Sequence, residues 1–348
     1  TLFWFSLICW SIPLLLWTLA NGFGMFLVAA VIFSTSRITS VAWYCVATED
    51  VDDDKKSRVF GLLFIISSIG GLATAFAGPV LERFGLIPAM RFLYGFAFVS
   101  MTLMFIFRHL LLTETKAGAE LNDLHAGMTL GQTFRRCLEV VTESLKNTEF
   151  ARLTLALVLF SFAGGMGFVQ LLYLNNDLKL SMTQLSMLPP VGAVVSVILY
   201  RFVVPRLGGF SERGVLAGSL ALSAAGVFLL LLVPVGNLWM VLISSALGGT
   251  GGYLFSVCIS ATLNNRMGQL HKADVYSAVQ MLVALATIPA GYLSGCVFAH
   301  SPRLSLALIG LMILAAAAVI APALKRSGPV EEPSIGTEEG LRPRATFQ

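Results

Sequence analysis

Ten times along the chain, about 20 residues pass with almost no charge, the length an α-helix needs to cross a hydrocarbon core about 30 Å thick. These runs lie at roughly 2–20, 23–47, 60–80, 87–107, 152–174, 184–204, 215–235, 237–262, 275–298 and 304–324. In lipid every backbone amide must be satisfied within the protein, so such runs are either helices or strands of a closed barrel. Barrel strands alternate polar and apolar residues over about 10 positions, and these runs do not alternate. The chain therefore reads as an all-α membrane protein, a polytopic helical bundle with ten visible transmembrane helices. Composition agrees, since only 12% of the 348 residues are charged and 56% are hydrophobic, against roughly 25% charged in a soluble domain. A soluble enzyme and a nucleic-acid binder are set aside on that ground. The five cysteines form neither a C-x-x-C metal pair nor a disulfide framework.

Basic residues give the orientation. Eighteen of the 23 fall in alternate connections: Lys55 to Arg58, Arg108 to Arg152, Arg201 to Arg213, Arg266 with Lys272, and the tail from Lys325 to Arg344. The opposite connections hold Arg83, Arg91, Lys179 and Arg303. By the positive-inside rule the richer side is cytoplasmic, which puts the central loop and the C-terminus inside and suggests the plasma membrane.

The longest interior polar segment, 111–150, divides the spans four to six. A shift of about 216 residues lays the first four runs on the last four, so the chain reads as two copies of one unit. Lys56, Val59 and Phe60 then meet Lys272, Val275 and Tyr276. The fifth and sixth runs would have counterparts only upstream of Thr1, and the chain is read as a fragment of a twelve-span protein. Four parts follow: 1–110, the remainder of an N-terminal six-helix bundle; 111–150, a cytoplasmic loop; 151–326, a C-terminal six-helix bundle; and 327–348, a polar tail expected to be disordered. Within the loop, Leu130, Phe134, Leu138, Val141 and Leu145 recur at helical spacing, as in an amphipathic helix lying on the membrane surface.

Two six-helix halves joined by a cytoplasmic loop resemble the major facilitator superfamily of secondary transporters. The family's cytoplasmic signature, G-x-x-x-D-R-x-G, survives as Arg206 and Gly208 in VPRLGG, with Pro205 at the Asp position. The string GPVLERFG resembles the end of the family's antiporter motif, its Gly-Pro being Gly78 and Pro79, while Thr74, Glu82 and Arg83 stand where that motif has glycine. The resemblance implies that the visible spans are family helices 3 to 12, with helices 4, 7 and 10 on a central cavity and 3, 6, 9 and 12 outermost. Polarity is distributed accordingly. The runs at 2–20, 87–107, 215–235 and 304–324 hold little beyond single Ser or Thr residues, whereas 23–47, 152–174 and 237–262 carry the polar and glycine load.

The one charge well inside an apolar run, away from its ends, is Arg37, with Ser34, Ser40 and Tyr44 on its face at i−3, i+3 and i+7. Intramembrane charge is costly and marks function by default, so Arg37 either binds an anionic group or tunes a carboxylate. The plain alternative is a structural arginine reaching the cytoplasmic surface or Glu49. Gly248, Gly249, Gly251 and Gly252 surround Thr250 ahead of Tyr253 and Ser256, and serve either bending during rocking of the halves or tight packing. Gly164, Gly165 and Gly167 precede Gln170 and Tyr173, candidates to bond substrate near the outer gate or to sit at the membrane interface. Gln280, with Tyr276 at i−4, is a further candidate.

All nineteen acidic residues fall in connections or the tail, so a carboxylate for proton coupling would have to lie upstream, or protons are not used. No catalytic motif, metal-ligand spacing or cofactor loop is present. The expectation is a monomeric, non-enzymatic transporter in the lipid bilayer that needs no cofactor. It moves a small-molecule substrate by alternating access, as proton-linked efflux of an amphipathic compound or as uptake or exchange of a small anionic or polar metabolite. A non-transporting membrane sensor is a third reading.

Overall fold

The computed structural model describes residues 2–36, 39, 70–111, 139, 142, 145–204, 206, 210–266 and 272–321. Arg37, Ser40, Tyr44, Gly208, most of the central segment and the tail lie outside the described residues. The elements described are all helical. Helix α1 (Leu2–Ser6) runs through a widened π turn, Leu7–Ser11, into α2 (Ile12–Leu19), and α3 (Phe23–Ser34) returns. Residues 70–73 lead through the tight turn Thr74–Phe76 into α4 (Ala77–Phe84), followed by α5 (Leu86–Leu111). After the central segment come α6 (Thr148–Met166), α7 (Phe168–Asn176), α8 (Met182–Ser186) and α9 (Leu188–Ile198). The last four are α10 (Glu212–Leu231), α11 (Leu238–Arg266), α12 (Lys272–His300) and α13 (Pro302–Ile320).

Every apolar run of the sequence overlaps one or more of these helices. Among the described residues, seven helical segments are long and apolar enough to cross a membrane, and Phe3–Leu19 and Phe23–Ser34 are shorter apolar helices. The remaining run, 60–80, is described from residue 70 onward.

Local chemistry sets the turns. Asn147 accepts the Glu149 and Phe150 amides at 3.0 and 3.3 Å and starts α6. Ser181 and Gln184 form a reciprocal capping box that starts α8, a motif whose cap contributes about 1 kcal/mol. Gly85 and Gly236 both turn at φ +80, where a side chain would be strained. Three contacts bring alternate connections together at one end of the bundle. Arg91 donates to the Ala20 carbonyl at 3.1 Å and to Asn21 Oδ1 at 2.5 Å. Glu82 meets Thr183, and the Gly236 amide donates to the Leu178 carbonyl at 2.9 Å. This is the end with few basic residues, called the basic-poor end below.

Packing falls into two bodies with different chemistry. Around α2, α3 and α5 it is aromatic: the Trp17 ring lies 5.4 to 5.6 Å from those of Phe26, Phe33 and Tyr94. Trp10 Nε1 donates to Thr39 Oγ1 at 2.8 Å, and Thr35 Oγ1 to Cys9 Sγ at 2.9 Å. From α6 onward a buried aliphatic cluster, with Leu153, Leu216, Leu220, Phe255 and Ile313 among its members, joins α6, α10, α11 and α13. Small residues let α10 and α11 approach closely: Ser219, Ser223 and Gly226 meet Ser244, Gly248 and Gly251, and Ser244 Oγ donates to the Gly226 carbonyl at 2.7 Å. Because lipid is as apolar as leucine, such close van der Waals contact is what holds membrane helices together. Ser294, fully buried on α12, donates to the Met166 carbonyl at 3.0 Å, beside the point where α6 breaks at Gly167.

The expectation that the 215–235 and 304–324 runs are outermost needs refinement. Both α10 and α13 bury many residues, including Ser219, Ser223 and Ser305. What distinguishes them is the face left open. On α10 it presents Gly218, Ala221 and Ala225, an apolar strip suited to lipid.

Candidate functional site

The opposite choice is made on α11. Its packed side presents Ser244, Gly251, Phe255 and Ile259, all buried. Its open side begins apolar, with Trp239 and Ile243 at 76% and 55% exposure, and turns polar past the middle of the helix. There Gly249, Ser256 and Ser260 are exposed and Tyr253 is half-buried, a stripe at i, i+4, i+7 and i+11. A polar stripe on the open side of a membrane helix is a candidate for contact with water or a solute.

The hydroxyls on it are poised as acceptors. Ser256 Oγ donates to the Gly252 carbonyl and Ser260 Oγ to the Ser256 carbonyl, each at 2.8 Å. A serine bonded back to its own helix keeps its oxygen lone pairs free for an incoming donor. Tyr253, with Tyr200 and Cys258 nearby, adds a phenol. Between Leu238 and Leu263 the helix carries no charged residue, so what this face offers is hydrogen bonding and not ion pairing. Beside it Phe160 is half-buried: its ring packs 4.7 Å from that of the buried Phe255 and comes within 3.4 Å of a Cβ position on Gly252.

The four glycines of α11 therefore differ. Gly248 and Gly251 pack against α10, Gly252 faces Phe160, and Gly249 has nothing within 4 Å of its Cβ position. On α6, a Cβ on Gly165 would stand 3.0 Å from that of Ala290, while Gly164 faces open space. Gln170 and Gln280 are half-buried.

Tyr173 corrects the sequence expectation in this conformation. It is 1% exposed and belongs to the aliphatic core. Its i+3 relation to Gln170 put the two on neighbouring positions of one helix without saying which side was covered. In fact α7 buries Val169, Tyr173 and Leu174 and leaves Phe168, Leu171 and Leu172 open.

Ser34 is exposed, its hydroxyl bonded to the Val31 carbonyl at 2.6 Å. Its partners in the proposed stripe, Arg37, Ser40 and Tyr44, fall outside the described residues. Arg206 turns back to the Phe202 carbonyl of its own segment, and Gly78 with Pro79 opens α4 against α8. Sequence reasoning missed Ser260, although its i+4 spacing from Ser256 was visible, and it missed Ser219, Ser223 and Gly226, whose spacing matches the α11 glycines.

Among the described residues, no three His, Cys, Asp or Glu side chains are grouped to hold a metal ion. A narrow crevice lies between the starts of α6 and α12, with Phe150, Thr154, Val279 and Leu282 on its walls. It leaves no room for a water molecule, and its lining is almost wholly apolar.

A family model described as MFS/sugar transport protein matches residues 1–267. No curated protein sequence matches the chain. Among solved structures, a POT family transporter in complex with 5-aminolevulinic acid is similar, with a TM-score of 0.67 and 10% identity over 91% of this chain and 80% of that one. A bacterial homologue of the iron transporter ferroportin, in an outward-facing state, gives a TM-score of 0.58 and 17% identity over 92% and 82% of the two chains. At these identities the likeness is one of fold. With the family match over most of its length and a bundle of apolar helices, the chain belongs to the major facilitator superfamily, within the MFS/sugar transport family, and is an integral, multi-pass membrane transporter.

Proposed function

We propose that the protein moves a small, uncharged polar solute, such as a polyhydroxylated compound, by alternating access around the open face of α11. The observation that carries this reading is the single uncharged stripe of Gly249, Tyr253, Ser256 and Ser260, open on a helix whose other side is closely packed. A solute with several hydroxyls matches acceptor oxygens one helical turn apart, and the half-buried Phe160 ring beside Gly252 supplies an apolar surface for its C–H faces. The sugar-transport description of the family supports the same solute class.

In this reading the halves are 1–110 and 151–326, tethered by the 111–150 segment and followed by the 327–348 tail. They rock about the face, and the solute biases the two states by its differential affinity. The basic-rich end, with the central segment and the C-terminus, is cytoplasmic in a plasma membrane, and one chain suffices. The test is counterflow in proteoliposomes holding the full chain, with a panel of labelled neutral polyols, organic acids and lipophilic amines. Polyol exchange that falls in Ser256→Ala and Tyr253→Phe supports the reading; exchange restricted to amines or acids rejects it.

The Gly78–Pro79 start of α4 and the Phe160 ring beside Gly252 favour a second reading, proton-linked efflux of an amphipathic compound. In the same vesicles that reading requires amine addition to dissipate an imposed pH gradient. Exchange of an anionic metabolite rests on Arg37.

A further inference from the structure

At the basic-poor end, α4 and α8 meet almost backbone to backbone. A Cβ on Gly78 would stand 2.5 Å from the Met182 carbonyl oxygen and 2.6 Å from the Thr183 Cα, and would collide with the Ser186 hydroxyl. That hydroxyl is shared between the Thr183 carbonyl at 2.8 Å and the Ala75 carbonyl at 3.2 Å. Glu82 follows Gly78 by four residues, on the same side of α4 and beyond the apolar run. Its Oε1 accepts the Thr183 amide at 2.9 Å and its Oε2 the Thr183 hydroxyl at 2.7 Å. One carboxylate thus grips one residue with both oxygens, across 101 positions of sequence and between the two halves.

The charges around it belong to other tasks. Helix α8 has no titratable side chain. Arg83 lies 5.7 Å from the Phe84 ring centroid, and Arg91 holds Ala20 and Asn21. Asp177 and Lys179 are exposed in the connection that leads to α8.

We propose that Glu82 is a positioning residue of the transport cycle: a latch that holds the basic-poor end shut by clasping Thr183. The proposal rests on alternating access only in that the halves must part; it does not depend on the solute. When they part, the carboxylate exchanges two fixed donors for water, so the latch biases the closed state without blocking the open one.

Electrostatics point the same way. The Thr183 amide first, then the Thr183 hydroxyl, with smaller help from Ser181 and Met182 and against a modest desolvation, hold the Glu82 carboxyl below its ordinary value of 4.5. A group depressed in the closed state favours that state above its ordinary pKa and loses the preference as pH falls through the depressed value. Across neutral pH the latch is fully charged and the bias is flat.

The test uses the full chain in nanodiscs, with its cysteines replaced by alanine and spin labels at Phe84→Cys and Met187→Cys, two exposed positions flanking the contact. Pulsed dipolar spectroscopy reads the closed and open populations directly, whether or not a transported solute is known. Glu82→Gln and Glu82→Ala should raise the open fraction several-fold, and Glu82→Asp should restore part of the closed fraction. Thr183→Val should open the wild type yet add nothing to Glu82→Ala. The wild-type distribution should stay constant from about pH 8 to pH 6 and open only below the ordinary carboxylate range. Unchanged populations in both Glu82→Gln and Thr183→Val overturn the latch, as does a wild type that opens between about pH 8 and pH 6. Should Glu82→Ala fail to fold, Thr183→Val and the wild-type titration still decide.

Discussion

Gly226 and Gly248 face each other so closely that a Cβ on Gly226 would stand 2.6 Å from the Gly248 Cα and 2.8 Å from the Ser244 carbonyl oxygen. One turn along, Gly251 approaches the Ser223 Cα to 2.8 Å by the same measure. Backbone cannot yield as a flexible side chain would, so Gly226→Ala and Gly251→Ala should each cost about 1–3 kcal/mol, as overpacking does. Gly249→Ala, which meets nothing, should be neutral or gain up to about 1 kcal/mol from helix propensity. Thermal unfolding of the detergent-solubilised protein separates the three. Equal losses at all of them would mean that α11 is not asymmetric in the way its packing implies.

The open side of α11 makes a prediction about affinity and not about stability. Ser256→Ala and Tyr253→Phe each remove one hydroxyl that a polar solute can use, worth about 0.5–1.5 kcal/mol. The half-saturation concentration for exchange should then rise roughly two- to tenfold, with the unfolding temperature unchanged in Ser256→Ala. Ser260→Ala should behave likewise, since its hydroxyl repeats the Ser256 arrangement one turn on. A drop in maximal rate at constant half-saturation would assign these hydroxyls to conformational change and not to solute binding.

Arg37 is tested by comparing solutes. If it meets an anionic group, Arg37→Ala should weaken an acidic solute by about 1.5–3 kcal/mol, the range of charge-assisted bonds, and leave a neutral polyol untouched. Arg37→Lys keeps the charge and should recover part of the loss. A structural arginine would give parallel losses for both solutes together with a lower unfolding temperature.

Much of the bundle was legible in the sequence because lipid imposes a single rule: each uncharged run of spanning length must be a helix, and α5, α10, α11, α12 and α13 fall where that rule puts them. The glycines of α11 were legible as a cluster, but not their division of labour. Which of Gly248, Gly249 and Gly251 meets a neighbour depends on the rotation of α11 against α10, and no pattern within α11 alone fixes it. Tyr173 was misjudged for the same reason, because helical spacing groups residues on a face without saying whether the face is covered. The Glu82–Thr183 contact joins residues 101 positions apart on separate apolar helices, and nothing local signals such a pairing. Glu82 stood out only as a departure from glycine in a motif, an absence that gave no hint of its partner.

Gly78 offers an independent handle on the closed end. Its neighbours in α8 include the Met182 carbonyl oxygen and the Thr183 Cα at 2.5 and 2.6 Å from a Cβ position, atoms that cannot rotate away. Gly78→Ala must therefore push α4 off α8, yet in a state where the two helices are apart the same methyl meets no obstacle and removes a glycine from a helix, a gain of up to about 1 kcal/mol. The substitution should shift the molecule towards opening at the basic-poor end instead of unfolding it. Thiol labelling of Ser186→Cys, half-buried against Gly78 and Ala75 when the end is shut, measures this. Labelling should be slow in the parent and at least several times faster with Gly78→Ala. If labelling stays slow while the unfolding temperature falls, the α4–α8 contact is a fixed structural seam; faster labelling at an unchanged unfolding temperature identifies it as a gate.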